Sequence, residues 1–222
     1  MLDFLSNYGS LLLEGTGETL YMTFVPTLVS YLIGLPMGVL LTTTKPGGIM
    51  AAPRFHTVFG WFVNLFRSIP FMILIFFVLP VTRFLVGTSI GATAANVPLS
   101  IAAAPFVARL VEQSLEEIDQ GVIEASRCMG ATNWQIITRV LLVESVPSLL
   151  RGLSITIITI FGYTAVTGAV GAGGLGNIAF RFGYQRYQTD VMYATVALVV
   201  ALVCIIQAVC SFLARKSDKR NR

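Results

Sequence analysis

The chain has 222 residues, 55% of them hydrophobic and only 12% charged, with a formal net charge of +4 and a mean hydropathy of +0.78. Soluble domains are about a quarter Asp, Glu, Lys and Arg, so this composition excludes a soluble enzyme, and with it a disordered, collagenous or disulfide-stapled chain. A basic balance in a membrane chain reflects Lys and Arg kept on the cytoplasmic side, and no nucleic-acid partner is expected.

Crossing a hydrocarbon core of about 30 Å takes roughly 20 apolar residues in a helix, because no water is there to satisfy open backbone groups. Thr19–Thr44 meets this with 26 residues and no charge. A second span is expected from about Phe59 to Pro80, with Arg67 inside it. The third fits within the uncharged run Phe84–Ala108, whose Gly and Ala content suits close helix packing. The fourth runs from near Ser148 to about Thr167, and the fifth is Val191–Leu213, 23 uncharged residues. The expectation is an all-α integral membrane protein with five transmembrane helices.

Basic residues set the orientation. Met1–Glu18 holds Asp3, Glu14 and Glu18 but no Lys or Arg, so the N-terminus is expected outside. The tail, 214–222, carries Arg215, Lys216, Lys219, Arg220 and Arg222 and is expected in the cytoplasm. Eleven of the fifteen basic residues then lie inside. No cleavable signal peptide is expected, since the start has no positive region and the first apolar run is long enough to span.

The stretch Arg109–Arg151, between the third and fourth spans, holds ten charges, six of them carboxylates. Ile118, Val122, Ala125 and Met129 recur at helical spacing and line one face, leaving Glu124 and Arg127 elsewhere. Gly130 is placed to end that helix in a left-handed conformation, and Thr132 with Gln135 forms a capping box that opens a second helix at Asn133. Such an element either lies on the lipid or docks a cytoplasmic protein. Six acids oppose an anionic leaflet, which favours docking.

Glu124-Ala125-Ser126, then Gly130 three residues on, Ala131-Thr132 and the apolar Val140–Val143 resemble the EAA loop of ABC importer permeases. Ser126, Val140 and Val143 depart from that pattern. Arg67-Ser68-Ile69-Pro70-Phe71 resembles a string in the second span of amino-acid importer permeases, and Ala169–Asn177 followed by Arg181–Tyr184 is similar to the methionine permeases among them. The similarity covers a type I permease domain at 15–213, with a coupling loop at about 118–140.

The resemblance implies a type I ABC importer permease fold with a cytoplasmic coupling helix, in a multi-pass protein of the bacterial inner membrane. It implies a second permease copy, cytoplasmic ATPase subunits and an external binding protein as partners, beside membrane lipid. Glu124, Ala125, Ser126, Met129, Gly130 and Trp134 would couple to the ATPase. No cofactor is expected on this chain, ATP being bound and hydrolysed by a partner, because no Walker motif is present. The chain is therefore not expected to be an enzyme.

Other signals are weaker. Gly171, Gly173, Gly174 and Gly176 reproduce a dinucleotide-binding pattern, but that motif needs a strand before it, and open-edged strands do not persist at membrane depth. These glycines are expected to permit a turn and close packing, with direct contact to the transported solute as the alternative. Arg67 is expected to snorkel to the interface, and with Pro70 is a candidate for the pathway. Gly34 and Gly38 are spaced to let two helices touch. His56, Cys204 and Cys210 lack any ligand pattern, so no metal is expected. Two rival functions remain: an ion-coupled secondary transporter, against which the lack of mid-span acids argues, and a membrane scaffold that transports nothing.

Overall fold

The computed structural model describes residues 2–217, with side chains from Tyr8 to Lys216; Met1 and the tail residues Lys219, Arg220 and Arg222 lie outside the described residues. The described residues are helical, with no strand among them: α1 (Leu2–Thr44), α2 (Pro53–Ser68), α3 (Phe71–Val86), α4 (Ala92–Glu116), α5 (Gln120–Cys128), α6 (Asn133–Gln135), a π-helical segment (Ile136–Leu141), α7 (Leu142–Glu144), α8 (Val146–Ala169), α9 (Gly174–Ile178), a second π-helical segment (Ala179–Tyr184) and α10 (Thr189–Ser217).

Helix bounds differ from the apolar runs in three places, each for a physical reason. α1 is 43 residues long, about 65 Å at 1.5 Å per residue, so the acidic stretch before Thr19 is helix and not loop. Hydropathy marks what a helix can bury in lipid, whereas Glu14 and Glu18 are good helix formers wherever they sit. The second expected span is broken: α2 stops at Ser68 and α3 starts at Phe71, behind Pro70 at φ −56° and ψ 133°. Proline disfavours the helical region for the residue before it, which here is Ile69. Finally, α4 runs on to Glu116, well past the expected limit at Ala108, because the backbone goes on hydrogen-bonding beyond the point where the uncharged run ends at Arg109. Among the described residues, four helices are long and apolar enough to cross a membrane, which makes up to five spans if the broken pair counts as one.

The chain divides into two compact units. One comprises α1 up to Val29, Ile69–Ala103 and Ile157–Ala208. Its core is Met22, Ala95, Leu99, Ala103, Ile160 and Ala172, flanked by Phe71 stacked on Tyr163 at 4.2 Å between ring centroids. A satellite cluster gathers Leu12, Leu175, Ile178 and Val191.

The other unit comprises Ser30–Ser68, Ala104–Thr156 and the residues from Val209 on. Its core runs down α4 through Val107, Val111 and Leu115 to Ile118, Ile123, Ile136, Ile137 and Leu141. Gly34 and Gly38 press α1 against α4 here: a Cβ on Gly34 would lie 2.7 Å from the Ala104 carbonyl oxygen, and one on Gly38 would lie 2.5 Å from that of Ala108. The glycine pair read from sequence therefore marks a real helix contact. Without a hydrophobic force between helices in lipid, such close approach is a main source of helix association.

Buried threonines are satisfied within their own helices. Thr19, Thr23 and Thr27 each donate to the carbonyl four residues earlier at 2.7 Å, which removes the cost of an open hydroxyl where water is absent.

Candidate functional site

α5 is held by its ends and by one face. Asp119 caps it, its Oδ1 accepting the Gly121 N–H at 2.6 Å. Ile123 and Ser126 are buried, with the Ser126 hydroxyl donating to the Val122 carbonyl at 2.8 Å. The helix ends where expected: Gly130 has φ +81°, and the Ala131 N–H donates back to the Ser126 carbonyl at 3.1 Å. The capping box is also present, with the Gln135 N–H donating to Thr132 Oγ1 at 3.3 Å and the Thr132 N–H to Gln135 Oε1 at 2.8 Å.

The face lined by Val122, Ala125 and Met129 is not the one that packs. Of the four residues read as a single apolar stripe, Ile118 is buried, whereas Val122 and Ala125 are exposed and Met129 is 81% exposed. The inward side is Ile123 and Ser126. Periodicity identifies an apolar face without saying whether this chain or another protein covers it. Trp134, at the start of the next helical stretch, is 73% exposed. Two large apolar side chains open to solvent within six residues of chain, on a turn whose geometry is fixed by caps, form a surface suited to a protein partner. Glu124 and Arg127 are exposed on α5 and, with Lys45, Gln120 and Leu141, line a polar cavity of about 210 Å³.

The next stretch is anchored from beneath. Ile136, Ile137 and Leu141 are buried, and the residues between Ile136 and Leu141 wind as a π-helix, with one residue more per turn than an α-helix allows. That winding lets Ile136 and Leu141, five apart, both face the core.

In the other unit the glycines form a turn after α8. Gly171, Gly173 and Gly174 have φ of +94°, +91° and +77°, which glycine alone adopts freely. Gly174 donates its N–H to Glu18 Oε2 at 2.6 Å, and Leu175 donates to Thr19 Oγ1 at 2.8 Å. A Cβ on Gly176 would lie 2.6 Å from Ala165 Cα, and Asn177 Nδ2 donates to the Gly168 carbonyl at 2.9 Å. The run Ile155–Ile160 before this turn is helix, so the strand required by a dinucleotide site is absent among the described residues. Arg67 is exposed in the last turn of α2, and Pro70 caps α3.

Sequence reasoning missed two sets of residues. Glu18 and Thr19 hold the glycine turn from 156 positions away, a distance across which no local pattern signals contact. Arg109 bridges Glu112 on α4 and Gly60 and Asn64 on α2. The i,i+3 spacing of Arg109 and Glu112 is visible in sequence and is the signal that could have marked both as one helical face beyond the end of the uncharged run. His56, which has no ligand pattern around it, directs Nδ1 at the Leu41 carbonyl, 3.0 Å away.

Residues 34–222 match the family described as binding-protein-dependent transport system inner membrane component. The chain is 46% identical over 210 residues to a probable D-methionine transport system permease protein, MetI, of Vibrio cholerae, covering 95% of this chain and 93% of that protein. It is 53% identical over 158 residues to the D-methionine transport system permease protein MetI of Escherichia coli K12, covering 71% and 73% of the two chains. Among solved structures, a chain of the MetNI methionine ABC transporter in an inward-facing conformation superposes with a TM-score of 0.94 at 49% identity, covering 96% of this chain and 99% of that one. An amino acid ABC transporter crystallised with histidines shares the fold, with a TM-score of 0.78 at 21% identity.

Proposed function

The chain belongs to the inner membrane components of binding-protein-dependent transport systems, and we propose that it is the permease of an ATP-driven importer of methionine, lining the pathway while a separate chain hydrolyses ATP. The relatives named as methionine permeases, and the methionine transporter whose chain superposes over nearly the full length, support that substrate. The permease domain is 15–213, with the coupling loop at about 118–140 and a short basic tail at 214–222. Two copies of the permease, two ATPases and an external binding protein make up the assembly in the inner membrane. ATP is bound by the partner, and this chain holds no cofactor of its own.

One observation carries the mechanical part of the reading: α5 and its turn are rigidly seated from inside through Ile123, Ser126 and Ile136, while Met129 and Trp134 are left open to solvent. A surface built in this way can be pushed as a unit. Closure of the ATPase pair on ATP would displace the Val122, Ala125, Met129 and Trp134 face, and the packed side would carry that displacement into α4, whose core runs without interruption into α5. Glu124 supplies a charge for the partner's groove. Ala125 and Ser126 keep the helix slim, and Gly130 fixes the turn. With the α2–α3 pair taken as one of five spans, the termini lie on opposite sides, and the basic residues kept inside argue for an external N-terminus and a cytoplasmic loop. Arg67 and Pro70 flank the break in that span, where a pathway would meet irregular backbone, whereas the glycines from Gly171 to Gly176 serve packing.

The deciding experiment is purification of the tagged chain in mild detergent. A Walker-motif ATPase should accompany it in equal amount, and a methionine-loaded binding protein should stimulate its turnover. Import that survives ATP depletion but collapses with the membrane potential would replace this reading with the ion-coupled one.

A further inference from the structure

In the unit that carries the coupling loop, one partly buried charge network links two helices. Arg109 Nη1 donates to Glu112 Oε2 at 2.6 Å, and Nη2 donates to the Gly60 carbonyl at 3.1 Å and to Asn64 Oδ1 at 3.0 Å. The Arg109 and Glu112 side chains are 20% and 10% exposed, and Arg109 Nε is buried with no partner. The guanidinium lies close against Gly60, where a Cβ would sit 3.3 Å from Nη2. One turn further along α4, Glu116 accepts Lys45 Nζ at 2.7 Å. Only Glu117, Ile118 and Asp119 then separate α4 from α5.

Stability does not account for this arrangement. Taking two charges largely out of water is costly before the pair returns anything, and apolar residues of similar volume are often as stable or more so. An open Nε adds to the cost. What the network supplies, and an apolar contact would not, is direction. A rigid planar fork held on α4 by Glu112 through one nitrogen, and reaching α2 with two bonds from the other, fixes both the rotation and the axial position of α2 against α4, whereas methylene groups would let the helices slide.

The geometry points to Arg109 as a positioning residue of transport: it carries displacement of the α5 surface, through the last turns of α4, into α2. The inference rests on the coupling reading above and adds to it a residue and a direction of force. Lys45 with Glu116 ties the same end of α4 to the turn after α1, so that α4 moves with both neighbours.

The test uses the full complex in proteoliposomes and measures ATP hydrolysed per methionine imported, alongside thermal stability in detergent. The double variant Arg109→Met with Glu112→Met should assemble with thermal stability at or above wild type. Its ratio of ATP to methionine should nevertheless rise about three- to tenfold, the range expected when a coupling contact is removed. Arg109→Lys keeps a charge beside Glu112 but loses the fork, and should give an intermediate ratio. A wild-type ratio in the double variant overturns the inference, as does failure of that variant to assemble, which would make the pair structural. A wild-type chain that recruits no ATPase would remove the coupling reading and this inference with it, and that result is seen before any variant is made.

Discussion

Glu18 Oε2 accepts the Gly174 N–H at 2.6 Å, and the neighbouring Thr19 hydroxyl accepts that of Leu175. A carboxylate on α1 thus takes the place of the cap that the glycine turn cannot provide from its own sequence. Hydrogen bonds to a charged group contribute about 1.5 to 3 kcal/mol. Glu18→Leu is therefore expected to lower the thermal midpoint of the purified protein clearly, and Glu18→Gln, which keeps an acceptor, to lower it less. A wild-type midpoint in the Leu variant would show that the contact contributes nothing.

Ser126 is buried on the inward side of α5. Its hydroxyl bonds within the helix, so Ser126→Ala should leave uptake near wild type. Ser126→Leu would overpack the seat of α5 at a cost of about 1 to 3 kcal/mol, and uptake should fall although the chain still inserts. Full uptake by the Leu variant would show that α5 need not be seated.

Met129 and Trp134 are open in the isolated chain, so truncating them should not disturb its fold. If they anchor the ATPase, loss of a hot-spot side chain costs about 2 kcal/mol or more, roughly a 30-fold weakening. The paired variant Met129→Ala with Trp134→Ala is expected to insert normally and to lose the ATPase on affinity purification. Retention of the ATPase at wild-type stoichiometry would move the docking surface elsewhere.

At Gly130 the surroundings are open, and a Cβ added there would meet nothing within 4 Å. The cost of substitution is thus purely backbone, about 1 to 2 kcal/mol for an ordinary residue held at left-handed dihedrals. Gly130→Ala should reduce uptake, Gly130→Asn should reduce it less, and Gly130→Pro should abolish it, because proline cannot reach φ +81°. The same uptake in all three variants would argue that the turn is not kept in the working transporter.

Sequence makes legible whatever short-range chemistry decides. Gly130, Thr132 and Gln135 specify a stop and a start within six residues, and the structure has both. The exposed stripe on α5 is visible as a stripe, but its partner is not, because apolar spacing is the same whether Ile123 or Met129 faces inward. Arg109 hides the end of α4, since a hydropathy run stops at the first charge whereas a helix stops only when its backbone does. The tie from Glu18 to Gly174 depends on tertiary proximity alone.

The π-helical winding from Ile136 to Leu141 has a consequence for how this region tolerates change in length. It stores one surplus residue between a fixed anchor in α8 and the Trp134 side chain. Deleting any one of those six positions would let the coil relax to ordinary pitch, where each residue turns by about 100°, and the larger step per residue makes up for the residue lost. Trp134 would then keep its direction after a deletion, whereas one further residue inserted there has no slack left to absorb it and would turn Trp134 by about 100° away from the side on which Met129 lies.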